Sequence, residues 1–176
     1  MIRITVPLTR AAEGTEYAGV YATVFLIPRA AIATLLERDR NANRITYRID
    51  DGAPMHVGMM HDGQGDYFIT VNKEVRKAHN LEIGDEATLT IAPDDSDYGV
   101  AVPEEAAELW QLDPEAHRVF HVLSPGHQRT LLYQIDKLKR PESRAKKAVQ
   151  IHEYLKRVNG RLDYRELNAF IKADNG

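Results

Sequence analysis

The sequence predicts an α+β protein: a small closed β-barrel, with a double-psi-like form among the candidates, over residues 1–100, then a helical domain over residues 101–176. Three observations lead there. Apolar residues recur at every second position through much of the first hundred residues, the spacing of strands. Glycine and aspartate turns separate these short runs, as in barrels and sandwiches. In the last third the apolar spacing changes to three and four, with helix starts at Pro114, Pro125 and Pro141.

The first hundred residues are read in chain order. Met1 to Pro7 alternates and has no signal-peptide core. Ala18, Val20, Ala22, Val24 and Leu26 share one face of an extended run; Tyr17, Gly19, Tyr21, Thr23, Phe25 and Ile27 share the other. The small side chains of the first set suit the tight interior of a barrel. Pro28 precedes helix formers from Ala30 to Arg38. Ile45, Tyr47 and Ile49 face inward on the next strand, and Asp51-Gly52 is expected to turn it as a type I′ hairpin. Ala53 to Met60 returns as its partner, and residues 61–65 form a loop. Tyr67, Ile69 and Val71 mark another strand. Asn72 caps a helix from Lys73 to His79, Asn80 ends it in the left-handed region, and Leu81 folds back onto Val75. Gly84-Asp85 turns the chain into a strand carrying Ala87, Leu89 and Ile91.

The lobe boundary is expected between Asp95 and Pro103. Beyond it, Asp113-Pro114-Glu115 combines a capping carboxylate, a first-turn proline and an acid at the positive helix end. Val119, Phe120 and Leu123 form its apolar stripe. Ser124-Pro125 starts a helix burying Leu131, Leu132, Ile135 and Leu138. Pro141 starts another, with Ala145, Ala148, Val149, His152 and Leu155 on one side, ended by Asn159-Gly160. Asp163 and Glu166 have capping-box spacing before Leu167, Phe170 and Ile171, and Leu162 completes a hydrophobic staple.

Composition narrows the function. Apolar residues are 43% and charged residues 28% of 176, the balance of a folded domain that buries a core without metal or disulfide. With no cysteine, disulfide scaffolds, thiol nucleophiles and cysteine-ligated zinc are excluded. No apolar run approaches the roughly 20 residues of a membrane span, so the expectation is a soluble cytoplasmic protein. Net charge is −3, which disfavours a general polyanion binder. Residues 1–100 carry ten basic and fifteen acidic residues; residues 101–176 carry thirteen and eleven. The basic excess concentrates in Lys137, Lys139, Arg140, Arg144, Lys146 and Lys147.

Two stretches carry a resemblance. One is Gly65-Asp66-Tyr67-Phe68-Ile69-Thr70-Val71-Asn72-Lys73-Glu74-Val75-Arg76-Lys77 with Leu81-Glu82-Ile83-Gly84-Asp85. The other is Leu123-Ser124-Pro125-Gly126-His127, continuing to Lys137-Leu138-Lys139-Arg140-Pro141-Glu142-Ser143-Arg144. Together they resemble the YdeI/OmpD-associated, or bacteriocin-protection, family over roughly residues 16–158. Leu138 departs from that family's usual alanine, and the helix from Asp163 extends past its usual end. The resemblance implies a barrel domain of unknown function packed on a helical domain, and a role in tolerance to antimicrobial peptides or envelope stress. The segment around Asn72 and Gly84 also resembles the hairpins of AbrB-type transition-state regulators. That shared strand–helix–turn–strand unit is structural and carries little argument for DNA.

Each chemical candidate has a plainer reading. His117 and His121, four apart, can share a metal but lack a third helical ligand, and His127 only follows in sequence. Gly63-Gln64-Gly65 lacks the lysine of a P-loop. Ser124 near His127 reads as a helix cap, and His61-Asp62 as loop neighbours. Trp110, Tyr133 and Tyr154 can stack on a ligand or fill a seam. Met55, Met59 and Met60 read as barrel filling. The expectation is a non-enzymatic binding protein without cofactor or metal. It takes a small molecule, peptide or protein through residues among Arg76, Lys77, Trp110, His127, Lys137, Lys139, Arg140, Arg144, Lys146 and Lys147. Two alternatives stand: a nucleic-acid-binding regulator using the basic segment, and a hydrolase or metal enzyme using His61 or His127.

Overall fold

The computed structural model describes residues 1–11, 23–38 and 43–176, which form two units, Met1–Asp95 and Ser96–Gly176. The first unit contains β1 (Ile2–Thr9), β2 (Val24–Ile27), β3 (Arg44–Ile49), β4 (Met55–Gly58), β5 (Met60–His61), β6 (Tyr67–Thr70) and β7 (Glu86–Pro93). A 3₁₀ turn, Arg29–Ile32, runs into α1 (Ala33–Arg38), and α2 (Lys73–Ala78) joins β6 to β7. The strand order is β4-β3-β7-β1-β2-β6-β5, every described pairing is antiparallel, and the result is a nearly closed barrel. No parallel pair of the double-psi kind occurs among the described pairings.

Alternation explains the core. Ile45, Tyr47 and Ile49 of β3 and Ala87, Leu89 and Ile91 of β7 are buried as expected, and burial pushes the Tyr47 phenol up to about 12. On β2 the core is filled from the face opposite to the one expected: Phe25 and Ile27 are fully buried in it, while of the expected face Val24 is buried outside that cluster and Leu26 is 44% exposed. Large side chains, not small ones, fill this interior. The proposed strand positions 17–22 lie outside the described residues. Residues 2–9, expected only to alternate, form the strand that joins β2 to β7.

The Asp51-Gly52 turn also differs. Asp50 takes the positive φ, 50°, and the Gly52 N–H donates to Ile49 O at 2.9 Å. Gly52 is closely approached instead: a Cβ there would lie 2.7 Å from His79 Cε1 and 3.0 Å from Ile49 O, so the His79 ring would have to shift. The expected single strand from 53 to 60 is two strands meeting at Met59. That residue is buried, and its N–H donates to Asn43 O at 2.6 Å. Around α2 the expectation holds: Asn72 Oδ1 accepts from Val75 N–H at 2.8 Å, and Asn80 has φ 51°.

The second unit contains α3 (Glu104–Leu112), α4 (Pro114–His121), α5 (Pro125–Asp136), α6 (Pro141–Arg157) and α7 (Tyr164–Asn175). Asp113, Ser124 and Asp163 cap α4, α5 and α7 with their side chains. Val119, Phe120, Leu131, Leu132, Ile135, Ile151 and Leu155 make a fully buried core, and Tyr98 and Val100 pack against it. On α6 the buried face includes Ala148, Ile151, His152 and Leu155, while Ala145 and Val149 turn outward. The buried face also takes in Gln150 and Tyr154, so at about 100° per residue its centre is rotated away from the expected stripe and leaves Ala145 and Val149 outside it. Helix α3 had no counterpart in the sequence reading.

Asn159 and Gly160 end α6 with φ 50° and 76°. A Cβ on Gly160 would run into Val122 Cγ2 and lie 3.1 Å from Val119 O. Gly160→Ala is therefore expected to lower stability by about 1–3 kcal/mol. Gly126, inside α5 with nothing near its missing Cβ, is the control: Gly126→Ala should be neutral or stabilising by up to about 1 kcal/mol. Urea denaturation followed by Trp110 fluorescence separates the two signs.

Candidate functional site

A groove of the barrel unit lies where β2 ends and β6 begins. It encloses about 880 Å³ between the helical segment 29–37 and the loop 64–67. Ala30, Ala33, Leu36 and Tyr67 give it an apolar lining; Arg29, Glu37 and Asp66 add charge. The loop is tightly tied. Asp62 Oδ1 accepts from the N–H groups of Gln64 at 2.7 Å and Asp66 at 3.0 Å, and Gly63 and Gly65 supply φ of 84° and 111°. Asp66 Oδ1 then accepts the Arg29 N–H at 2.8 Å, fastening the loop to the 3₁₀ turn. The volume lies within the range of small-ligand sites, and the wall is held before any ligand arrives.

These bonds engage Asp62 within its own loop. The carboxylate closes the loop rather than orienting the imidazole, and the His61 ring lies 4.4 Å from that of Tyr67. A different His–Asp pair forms that sequence spacing did not reveal. His56 Nδ1 is 3.1 Å from Asp94 Oδ2, and Arg44 Nη2 is 3.7 Å from the same oxygen. The Asp94 side chain is only 1% exposed. His56 and Asp94 are 38 residues apart and meet because β3 lies between β4 and β7. The group fastens three strands together.

In the helical unit the aromatic residues form a polar-capped cluster. Trp110 Nε1–H donates to His152 Nε2 at 2.8 Å, and the Trp110 ring packs 4.9 Å from Phe120. His152 Nδ1 is 2.6 Å from Ala148 O, which can only accept, so the proton sits on Nδ1 and the ring is neutral. His121 also uses both nitrogens: Nδ1–H donates to His117 O at 2.7 Å, and Nε2 lies 2.6 Å from the Tyr98 hydroxyl. His117 stacks on His121 at 3.9 Å. Both His121 nitrogens are engaged, and no metal-holding cluster of three side chains occurs among the described residues.

The remaining expected residues are distributed as follows. Arg76 pairs with Glu82 at 3.3 Å and lines a shallow depression on α2 with Lys77. His127 is exposed, its ring 5.7 Å from Tyr164, while the Ser124 hydroxyl accepts the His127 N–H as a helix cap. Arg144 is committed to Glu105: Nε lies 2.9 and 3.0 Å from the two carboxylate oxygens, and Nη1 donates to Leu138 O at 3.2 Å. That contact holds the Glu105 carboxyl below its usual range. Lys137, Lys139, Arg140 and Lys146 are exposed and Lys147 half-buried; of these, Lys137, Lys146 and Lys147 line one cleft. The structure thus brings together three of the ten expected residues at that cleft.

An antiparallel barrel unit followed by a helical unit defines a two-part α+β protein. Residues 9–91 match a domain of unknown function, DUF1905, and residues 100–157 match OmdA, described as bacteriocin-protection, YdeI or OmpD-associated. The chain belongs to this YdeI/OmpD-associated family, with the DUF1905 unit preceding the OmdA unit. No curated protein and no solved structure matched the chain. Helix α7 lies beyond both matched segments.

Burial is the main cause pushing the His152 imidazole below its ordinary 6.5; Lys156 and His121 act the same way, against the Ala148 carbonyl and Asp113. A buried base with a depressed folded pKa gives stability that is complete above pH 6.5 and is lost as pH falls toward that depressed value. The urea midpoint of the helical unit, read by the sole tryptophan, is expected to drop between pH 7.5 and 5. His152→Leu should flatten that slope while lowering stability by about 1–3 kcal/mol at pH 7.5, because it strands the Trp110 N–H. An unchanged slope in the variant would remove His152 as the cause.

Proposed function

We propose that the protein is a non-enzymatic cytoplasmic binding protein whose barrel groove takes a short cationic peptide, a role that fits tolerance to antimicrobial peptides. The observation that carries this reading is the groove itself: apolar lining, charged rim and a loop wall fixed by Asp62 and Asp66. The charge balance of residues 1–100, ten basic against fifteen acidic, favours a cationic partner. The neighbours of His61 and His127, the side chains of the hydrolase alternative, favour binding over chemistry. Asp62 is occupied by backbone N–H groups, and Ser124 is occupied as a cap.

Titration of ¹⁵N-labelled protein with a cationic amphipathic peptide should shift the amides of Ala30 to Leu36 and Gln64 to Tyr67. Ala33→Trp, which fills the groove from an exposed helical position, should weaken binding at least about tenfold. Absence of shifts there counts against the site. Robust hydrolytic turnover abolished by changing His61 or His127 would replace this reading with an enzymatic one.

A further inference from the structure

We propose that the cleft bordered by α5, the first half of α6 and the end of α7 binds the phosphate group of a small phosphorylated ligand. The cleft holds about 290 Å³. Lys137, Lys146 and Lys147 line it together with the Ser143 hydroxyl and the Gln134 amide, and no carboxylate does.

The cations of this cleft differ from their neighbours. Arg118 pairs with Glu115, Arg144 with Glu105, and Lys156 with both Asp113 and Glu153. Lys137, Lys146 and Lys147 have no ion pair among the described residues. Asp174 borders the cleft through the lining residue Gln150, whose Nε2 donates to its Oδ2 at 2.6 Å, and it forms no ion pair with these lysines among the described residues. Gathering three ammonium groups without an acid costs Coulomb energy, which a bound anion offsets. Burial, and then the charge on Lys137, already lower the proton affinity of Lys147. The three groups supply up to nine N–H donors on flexible stems, suited to a phosphate as a concentrated charge.

The same geometry sets the size of the ligand. A concave site this small admits one phosphate-bearing head, with Leu138 and Ile171 as an apolar wall for what is attached to it. A duplex instead needs cations spread along many phosphates. Lys139 and Arg140, members of the same run, do not line the cleft.

Calorimetric titration with pyrophosphate at low salt tests the site. One-to-one saturable binding is expected. Lys146→Gln and Lys147→Met should each weaken it about tenfold, while Lys139→Gln and Arg140→Gln should change it less than about threefold. Lys146 is exposed, so Lys146→Gln remains decisive if Lys147→Met fails to fold by Trp110 fluorescence. No saturable binding, or equal losses inside and outside the cleft, overturns the proposal. So does a DNA duplex that binds more tightly than pyrophosphate and depends on Lys139 and Arg140.

Discussion

The barrel depends on one stretch of chain. Its first and last strands in spatial order, β4 and β5, are consecutive in sequence, separated only by Met59. The sheet therefore returns to itself by covalent continuity rather than by a further ladder of hydrogen bonds. Met59 sits at the bend with its side chain in the core and its N–H on Asn43 O. A short bend suffices because β4 has four residues and β5 two, so little ladder is given up on either side. Short edges also offer little template for another chain.

The groove and the fold share this geometry. β2 and β6 pair from Val24–Thr70 to Ile27–Tyr67, and the groove opens where that ladder stops. The chain leaves β2 through Pro28 into the 3₁₀ turn, and Asp66 reaches across to accept the Arg29 N–H. The carboxylate that borders the groove also ties the loop before β6 to the 3₁₀ turn after β2. In the helical unit, polar ties work over comparable distances: Glu105 to Arg144, Trp110 to His152, and Asp113 to Lys156 link helices whose apolar faces are already packed. Such contacts fix which helix lies against which, since apolar burial alone is non-directional.

Much of the fold was legible because its signals are local. Alternation placed Tyr47 and Leu89, and caps at Asn72, Asp113, Ser124 and Asp163 placed helix starts. What failed needed information from elsewhere in the chain. Alternation on β2 defined two faces but not which one faces the core; Phe25 and Ile27 face it because large side chains are needed there. Helix α3 escaped because it opens after Pro103 without a side-chain cap and fully buries only Ala106. β1 gave an ordinary alternating signal, and only its two neighbours reveal its place. At the sites, the basic run was visible, but its division was not. Arg144 is removed from it by Glu105, 39 residues earlier. The His56–Asp94 pair likewise depends on strand order rather than spacing.

The start of α7 depends on its neighbour. Its capping box is completed through α6: the Asp163 N–H donates to the Tyr154 hydroxyl at 3.2 Å, and that hydroxyl lies 3.2 Å from the Glu166 carboxylate it donates to. The first turn of α7 is therefore held partly by a side chain of α6. A change at Tyr154 reaches beyond its own helix and loosens the opening of the next one.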